Sequence, residues 1–340
     1  MKTFSSLLFL FFLSFSFVAS DCGTTPFHTP IQLVGYECIG PPSVYVDPVT
    51  EIVYASCYWG FYSCSDYYQN DCYNVIAIQG TNITRIANSS QCVEPNGIYG
   101  GSNGMVYVAC SAINGGTANI ISINSTSLQV AQIVSSDDCT NPYDVFVDGN
   151  TLYAACWVGN VISVSLVDNS VTILATPDQC SYSYSVFELS GTVYVSCSGG
   201  QGQIVTITGG VVTQGVDQGL CGQPSGVVVS AIDDTIYASC QDGLSGVVAI
   251  SSSGTATTII SVDQCTYSTG VALSSTDVLY VACEYQDTLY YTGSTIAVAV
   301  PHSECNPYYP FFNSNTGILY LTCAQASSTT DMVVKANPCV

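Results

Sequence analysis

The sequence predicts an all-β protein, a seven-bladed β-propeller of four-stranded antiparallel blades with one disulfide per blade, and three observations carry that expectation. A tyrosine precedes a cysteine by three residues seven times: Tyr54/Cys57, Tyr107/Cys110, Tyr153/Cys156, Tyr194/Cys197, Tyr237/Cys240, Tyr280/Cys283 and Tyr320/Cys323. Each of these cysteines has a second one 17 to 19 residues upstream, at Cys38, Cys92, Cys139, Cys180, Cys221, Cys265 and Cys305. Successive upstream cysteines are 54, 47, 41, 41, 44 and 40 residues apart, the step of one propeller blade.

The first element is a leader. Lys2, an apolar run from Leu7 to Val18 and the small pair Ala19-Ser20 have the order of a secretory signal peptide over 1–20. The remainder, 21–340, reads as a single propeller domain. No later stretch reaches the roughly 18 apolar residues that a spanning helix needs. The last six residues, from Lys335 to Val340, carry neither an anchor signal nor a retention tetrapeptide. The expected location is secreted, extracellular, with no membrane insertion.

One repeat shows the strands. Val145-Phe146-Val147 is a short strand, Asp148-Gly149-Asn150 a hairpin turn in which Asp-Gly supplies positive φ angles, and Leu152 to Cys156 a second strand. Val161 to Leu166 and Val171 to Ala175 complete four, the content of one blade. The seventh unit stops at three, near Phe311-Phe312, Ile318 to Cys323 and Met332 to Lys335. Its fourth strand is available at the other end of the chain, where Ile31 to Tyr36 precedes Cys38. A ring closed by that N-terminal strand leaves no edge to pair with other chains.

Strings such as LYAACWVGNVISVSL and VYVSCSGGQGQIVTI resemble the blade signature of YVTN and NHL-type β-propellers, over all seven repeats. The chain departs from that signature in placing cysteine where those repeats carry asparagine or another small polar residue. The resemblance implies the fold. It implies no reaction, because related propellers include surface-layer and adhesion modules as well as lyases and lactonases.

Secretion licenses disulfides, and an even count of 18 cysteines at regular spacing is a framework signature. Fourteen fall in the seven repeat pairs. The other four are read as a local pair, Cys64 with Cys72, and a pair joining the ends, Cys22 with Cys339. Pairing within blades competes with pairing between neighbours, such as Cys110 with Cys139; the shorter and more uniform loops favour the former. Sequons at Asn82, Asn88 and Asn124 suit the same compartment and put any glycans on one side.

Without the leader, Arg85 and Lys335 stand against 24 acids. Such a surface repels phosphate backbones, which excludes nucleic acid as a partner. Because the acids are scattered, solubility explains them better than cation storage.

The seven repeated tyrosines have two readings, a sugar-binding ring and interblade packing. Strand alternation places them on sheet faces and favours packing. The best candidate surface is the first-blade insertion from Cys57 to Tyr73, which carries Tyr58, Trp59, Phe61, Tyr62, Tyr67 and Tyr68 beside Asp, Asn and Gln. Rigid aromatics with polar neighbours suit sugar stacking or a protein hot spot, and the competing reading is a cap over its own blade. Trp157 belongs to the same candidate surface, which Tyr182, Tyr184, Tyr267, Tyr285, Tyr308 and Tyr309 extend.

A second constellation is the residue before each upstream cysteine: Glu37, Gln91, Asp138, Gln179, Leu220, Gln264 and Glu304. Facing the axis, these would ring the channel mouth; as exposed turn residues they need no ligand. No cofactor and no metal site is implied. His28 and His302 stand in no metal-ligand spacing and beside no recognisable nucleophile. The expected function is a non-enzymatic extracellular recognition or structural module binding protein or glycan. Alternatives are a lectin, a fibre subunit that self-associates by exchanging its terminal strand, and a lactonase or lyase with a metal in the channel.

Overall fold

The computed structural model describes residues 28–32, 38, 41–57, 74–112, 117–199, 202–214, 219–303, 305–323 and 332–336. Their strands form seven four-stranded antiparallel sheets. The innermost strands neighbour one another in a closed cycle, from Ser43–Val46 through Pro95–Gly100, Pro142–Asp148, Ser183–Leu189, Pro224–Val229, Ser268–Leu273 and Pro307–Asn313 back to the first. The architecture is a seven-bladed β-propeller, as the repeat spacing predicts.

In the third blade the strands are Pro142–Asp148, Thr151–Cys156, Val161–Ser165 and Val171–Ala175. The first hairpin pairs Asp148 with Thr151, so Gly149 and Asn150 are its two loop residues. Of the three turn residues only Gly149 has positive φ, at 53°. Glycine at the first loop position is the pattern of a type II′ turn, whose twist matches that of the flanking strands.

The last blade takes its outermost strand from the start of the chain. His28–Gln32 pairs antiparallel with Met332–Ala336, with His28 opposite Ala336 and Gln32 opposite Met332. This strand begins before the apolar run that suggested it. Residues 33–37 lie outside the described residues, as do 1–27, Cys64, Cys72 and Cys339.

All seven repeat disulfides are intrablade: Cys38–Cys57, Cys92–Cys110, Cys139–Cys156, Cys180–Cys197, Cys221–Cys240, Cys265–Cys283 and Cys305–Cys323. The register explains why. Pro142 lies opposite Cys156, so Cys139, three residues earlier, sits in the turn beside the end of the second strand. The Cα atoms of that pair are 5.4 Å apart, within bridging range.

The repeated tyrosines pack between blades. Tyr54 of the first blade lies in a core with Ile98, Val106, Val108 and Ile121 of the second. Tyr107 packs on the third blade, Tyr280 on the seventh, and Tyr320 on the first, which completes the circle. The Tyr107 hydroxyl accepts a hydrogen bond from Asn103 Nδ2 at 2.8 Å.

Candidate functional site

The topology sorts the connections onto two faces. Hairpin turns within each blade leave the first and third strands on one face. The connections from second to third strand, and from one blade to the next, leave on the other. Every repeat disulfide lies on this second face, because each upstream cysteine sits in an interblade connection and each downstream one ends a second strand. The two strands flanking the first-blade insertion, ending at Cys57 and starting at Asn74, have those ends on this face. The candidates Tyr58, Trp59, Phe61, Tyr62, Tyr67 and Tyr68 themselves lie outside the described residues.

Trp157 is described and half-buried. It follows the third-blade cysteine, and its indole lies 5.4 Å from the ring of Tyr182, on the connection into the fourth blade. Tyr182, Tyr267 and Tyr285 are 45 %, 44 % and 61 % exposed, all on the disulfide face. The exposed large side chains of the opposite turns are aliphatic: Val49, Leu128, Val167 and Ile232. Tyr182 and Tyr285 also hold φ of 51° and 64°, a left-handed conformation that bulky residues adopt only under local constraint. At Tyr285 the constraint includes its backbone N–H, which donates to Asn306 Oδ1 of the next blade at 2.6 Å.

Tyr184, Tyr308 and Tyr309 lie not on connecting loops but at the disulfide-face ends of innermost strands, Ser183–Leu189 and Pro307–Asn313. They line the channel mouth together with Tyr143, Asn96, Asp144, Ser225 and Gln241. The Tyr143 and Tyr184 rings are 4.2 Å apart and their hydroxyls 2.7 Å apart, one donating to the other.

The residues before the upstream cysteines cap turns. Gln179 Oε1 accepts from the Thr176 N–H at 3.0 Å, Gln264 Oε1 from the Ser261 N–H at 3.0 Å, and Gln91 Oε1 from the Asn88 N–H at 3.3 Å. Each turn directly follows an outermost strand, so these side chains stand at the periphery, away from the axis. Asp138 does the same with the Ser135 hydroxyl at 2.8 Å. Glu37 and Glu304 lie outside the described residues.

Asn82 and Asn88 begin and end the outermost strand of the first blade, and Asn124 ends the third strand of the second. The sequons therefore share a sector of the ring but not a face. Asn88 Oδ1 already accepts from the hydroxyl of Ser90, its own sequon residue, at 2.6 Å.

Sequence patterning did not single out Asp144. The residue is 9 % exposed and lines both the channel mouth and the chamber below. Oδ1 accepts from the Val145 N–H at 2.9 Å, and Oδ2 accepts from Ser185 Oγ at 3.0 Å and the Val186 N–H at 3.1 Å. Burial pushes its carboxyl up to about 6, against the opposing pull of those three donors. Burial also raises the Tyr99 phenol to about 12 and the Tyr309 phenol well above its usual value, with the Asp144 charge adding to both. At the corresponding place on the other innermost strands stand Ser43, Gly97, Ser185, Gly226, Gly270 and Tyr309, so an alignment of the seven repeats would have marked Asp144 as the charged one.

Below it, five blades contribute an aromatic collar. Ring centroids are 5.5 Å apart from Phe311 to Tyr45, 5.6 Å from Tyr45 to Tyr99, 4.6 Å from Tyr99 to Phe146 and 4.8 Å from Phe146 to Phe187. Gly100 makes room for this packing, since a Cβ there would stand 2.1 Å from the Tyr45 ring.

No family model and no curated protein matches this sequence. Solved structures do match its fold. Virginiamycin B lyase from Staphylococcus aureus superposes with a TM-score of 0.69 at 13% identity, over 92% of this chain and 98% of the lyase. The extracellular domain of a putative hybrid two-component system from B. thetaiotaomicron gives 0.69 at 10% identity, over 91% of this chain and 39% of that one. PorZ, a bacterial surface component of the type-IX secretion system of Porphyromonas gingivalis, gives 0.63 at 9% identity, over 88% and 46%. The chain thus spans less than half the length of the last two. At such identities the likeness is one of fold.

Proposed function

We propose that the protein is a non-enzymatic extracellular recognition module that meets a protein or glycan partner on its disulfide face. The observation that carries this reading is the segregation of exposed aromatic rings to that face, at Tyr182, Tyr267 and Tyr285, beside Trp157. Aromatic side chains on stapled connections lose little conformational freedom on binding. Seven disulfides suit an oxidising compartment, and the likeness to extracellular bacterial propellers supports the same placement. Kinship with YVTN and NHL-type propellers, carried by the repeat pattern, is part of this proposal.

The channel favours binding over catalysis. Asp144 is the single carboxylate among its described lining residues, whereas glycoside hydrolysis calls for a pair. A glycan partner is the more specific form of the reading, favoured by the platform that Trp157 and Tyr182 make together.

The test is binding to a glycan array and to a library of purified extracellular domains, with wild-type protein and a Tyr182→Ala/Tyr267→Ala/Tyr285→Ala triple variant. Binding that the triple variant loses while keeping its melting temperature supports the proposal. Binding indifferent to the triple variant, or turnover of a bound substrate, overturns it.

A further inference from the structure

The channel chamber below Asp144 has a volume of about 150 Å³. Its walls are the collar rings of Tyr99, Phe146, Phe187 and Phe311, closed on the remaining side by Val228 and Ala272. The described lining contains no Lys, Arg or His, so the Asp144 carboxylate has no cationic partner there. We propose that this chamber binds a small organic ammonium ion, with Asp144 as its counter-charge and the aromatic collar as its apolar wall. This inference does not depend on what binds the disulfide face.

The hydrogen bonds of the carboxylate leave its charge unpaired. A carboxylate offers about four acceptor positions, and three are taken, two of them on Oδ2. The remaining one is on Oδ1, against which the Gly97 backbone packs so closely that a Cβ there would stand 2.4 Å away, so a guest in the chamber meets Asp144 as a counter-charge and not as a hydrogen-bond acceptor. All three donors are neutral, and the raised titration point of Asp144 records what the uncompensated charge costs. A bound positive charge offsets that cost.

The chemistry of the walls selects the class of ligand. A calcium-like cation takes six to eight oxygen ligands, which one carboxylate among aromatic and aliphatic side chains does not provide. A neutral apolar molecule would leave the buried charge uncompensated. An alkylammonium satisfies both halves, presenting charge to Asp144 and C–H surface to the aromatic wall, where a cation is attracted by the ring quadrupole. The volume matches that of cavities known to hold a benzene-sized guest. A chain with 24 acids and three basic residues also draws cations toward itself.

The test uses tetramethylammonium as the probe and tert-butanol as its neutral shape match, titrated into the whole protein by calorimetry. Measurements at about pH 8 and about pH 4.5 bracket the Asp144 titration. The other titratable groups lining the site are phenols: Tyr99 of the second blade and Tyr309 of the seventh in the chamber, which stay neutral over that range, and Tyr143, Tyr184 and Tyr308 at the mouth. The expected result is saturable tetramethylammonium binding at the higher pH, weaker by about tenfold or more for tert-butanol, for Asp144→Asn and at the lower pH. Phe187→Leu, which removes one ring, should weaken it several-fold. Absence of saturable tetramethylammonium binding, equal binding of the neutral match, or affinity undiminished at low pH overturns the proposal. Should Asp144→Asn fail to fold, the neutral match, the pH comparison and Phe187→Leu decide the question without it.

Discussion

The carboxylate of Asp144 in the third blade accepts a hydrogen bond from the backbone N–H of Val186 in the fourth, at 3.1 Å, so a single ionisable group joins two innermost strands. Its neighbours use neutral groups for the same purpose. Ser225 Oγ donates to the Ser268 carbonyl at 2.7 Å, and Thr269 Oγ1 donates to the Tyr308 carbonyl at 2.5 Å.

Folding stability should depend on pH through Asp144. Its carboxyl titrates near 3.8 when unfolded and at about 6 in the folded protein, so the folded state holds the proton more tightly. Stability contributed by this group is present in full below the unfolded value and is lost as pH rises through about 6, by about 3 kcal/mol in total. Chemical unfolding of wild type and Asp144→Asn at several pH values isolates this contribution from that of the other acids. The wild type should lose stability relative to the variant between about pH 4 and pH 6. Parallel profiles would show that Asp144 is not buried as described.

The disulfides should be nearly independent. The loops they close are similar in length, and each bridge ties the two inner strands of its own blade. Replacing both Cys180 and Cys197 by serine should cost about 3 kcal/mol, the loss expected for a bridge closing a loop of this size. Urea unfolding of the double variant measures it, and two such variants in opposite blades should add within about 0.5 kcal/mol.

The collar depends on a glycine. A Cβ on Gly100 would overlap the Tyr45 ring, and Tyr45 sits between Tyr99 and Phe311. Gly100→Ala therefore displaces a buried ring, at about 1–3 kcal/mol for overpacking. Near-ultraviolet circular dichroism should lose intensity from the packed collar rings while the far-ultraviolet spectrum stays that of a β-protein. An unchanged near-ultraviolet spectrum would count against the packing described.

The fold was legible because each blade repeats a local code. Period-2 strands, turn glycines such as Gly149 and a cysteine at each end of a hairpin are all short-range signals. The collar was not, because Tyr45, Tyr99, Phe146, Phe187 and Phe311 are separated by a full blade and become neighbours only when the ring closes. Asp144 is legible only when the seven repeats are aligned, because its charge is unusual for its register and not for its local sequence. Gln91, Gln179 and Gln264 recur at one register, which suits an axial ring as well as exposed turns, and each is satisfied by its own turn, the second of those readings. Register shows which residues are equivalent. It does not show how far from the axis they stand.

Tyr285 separates display from stability. Its ring is 61 % exposed and its φ of 64° is a conformation that costs a bulky L-residue about 1–2 kcal/mol. Asparagine tolerates that region far better, and the backbone bond to Asn306 does not involve the Tyr285 side chain. Tyr285→Asn should leave the melting temperature unchanged or slightly raised. A tyrosine kept at such a position for binding should nonetheless be missed by the partner, so affinity for any array ligand should fall by about tenfold, the loss typical of a modest hot spot. Tyr285→Ile, β-branched at the same φ, should lose both stability and binding. A Tyr285→Asn protein that melts several degrees lower would assign the ring a packing role, and one that melts as the wild type and binds as well would remove Tyr285 from the binding face.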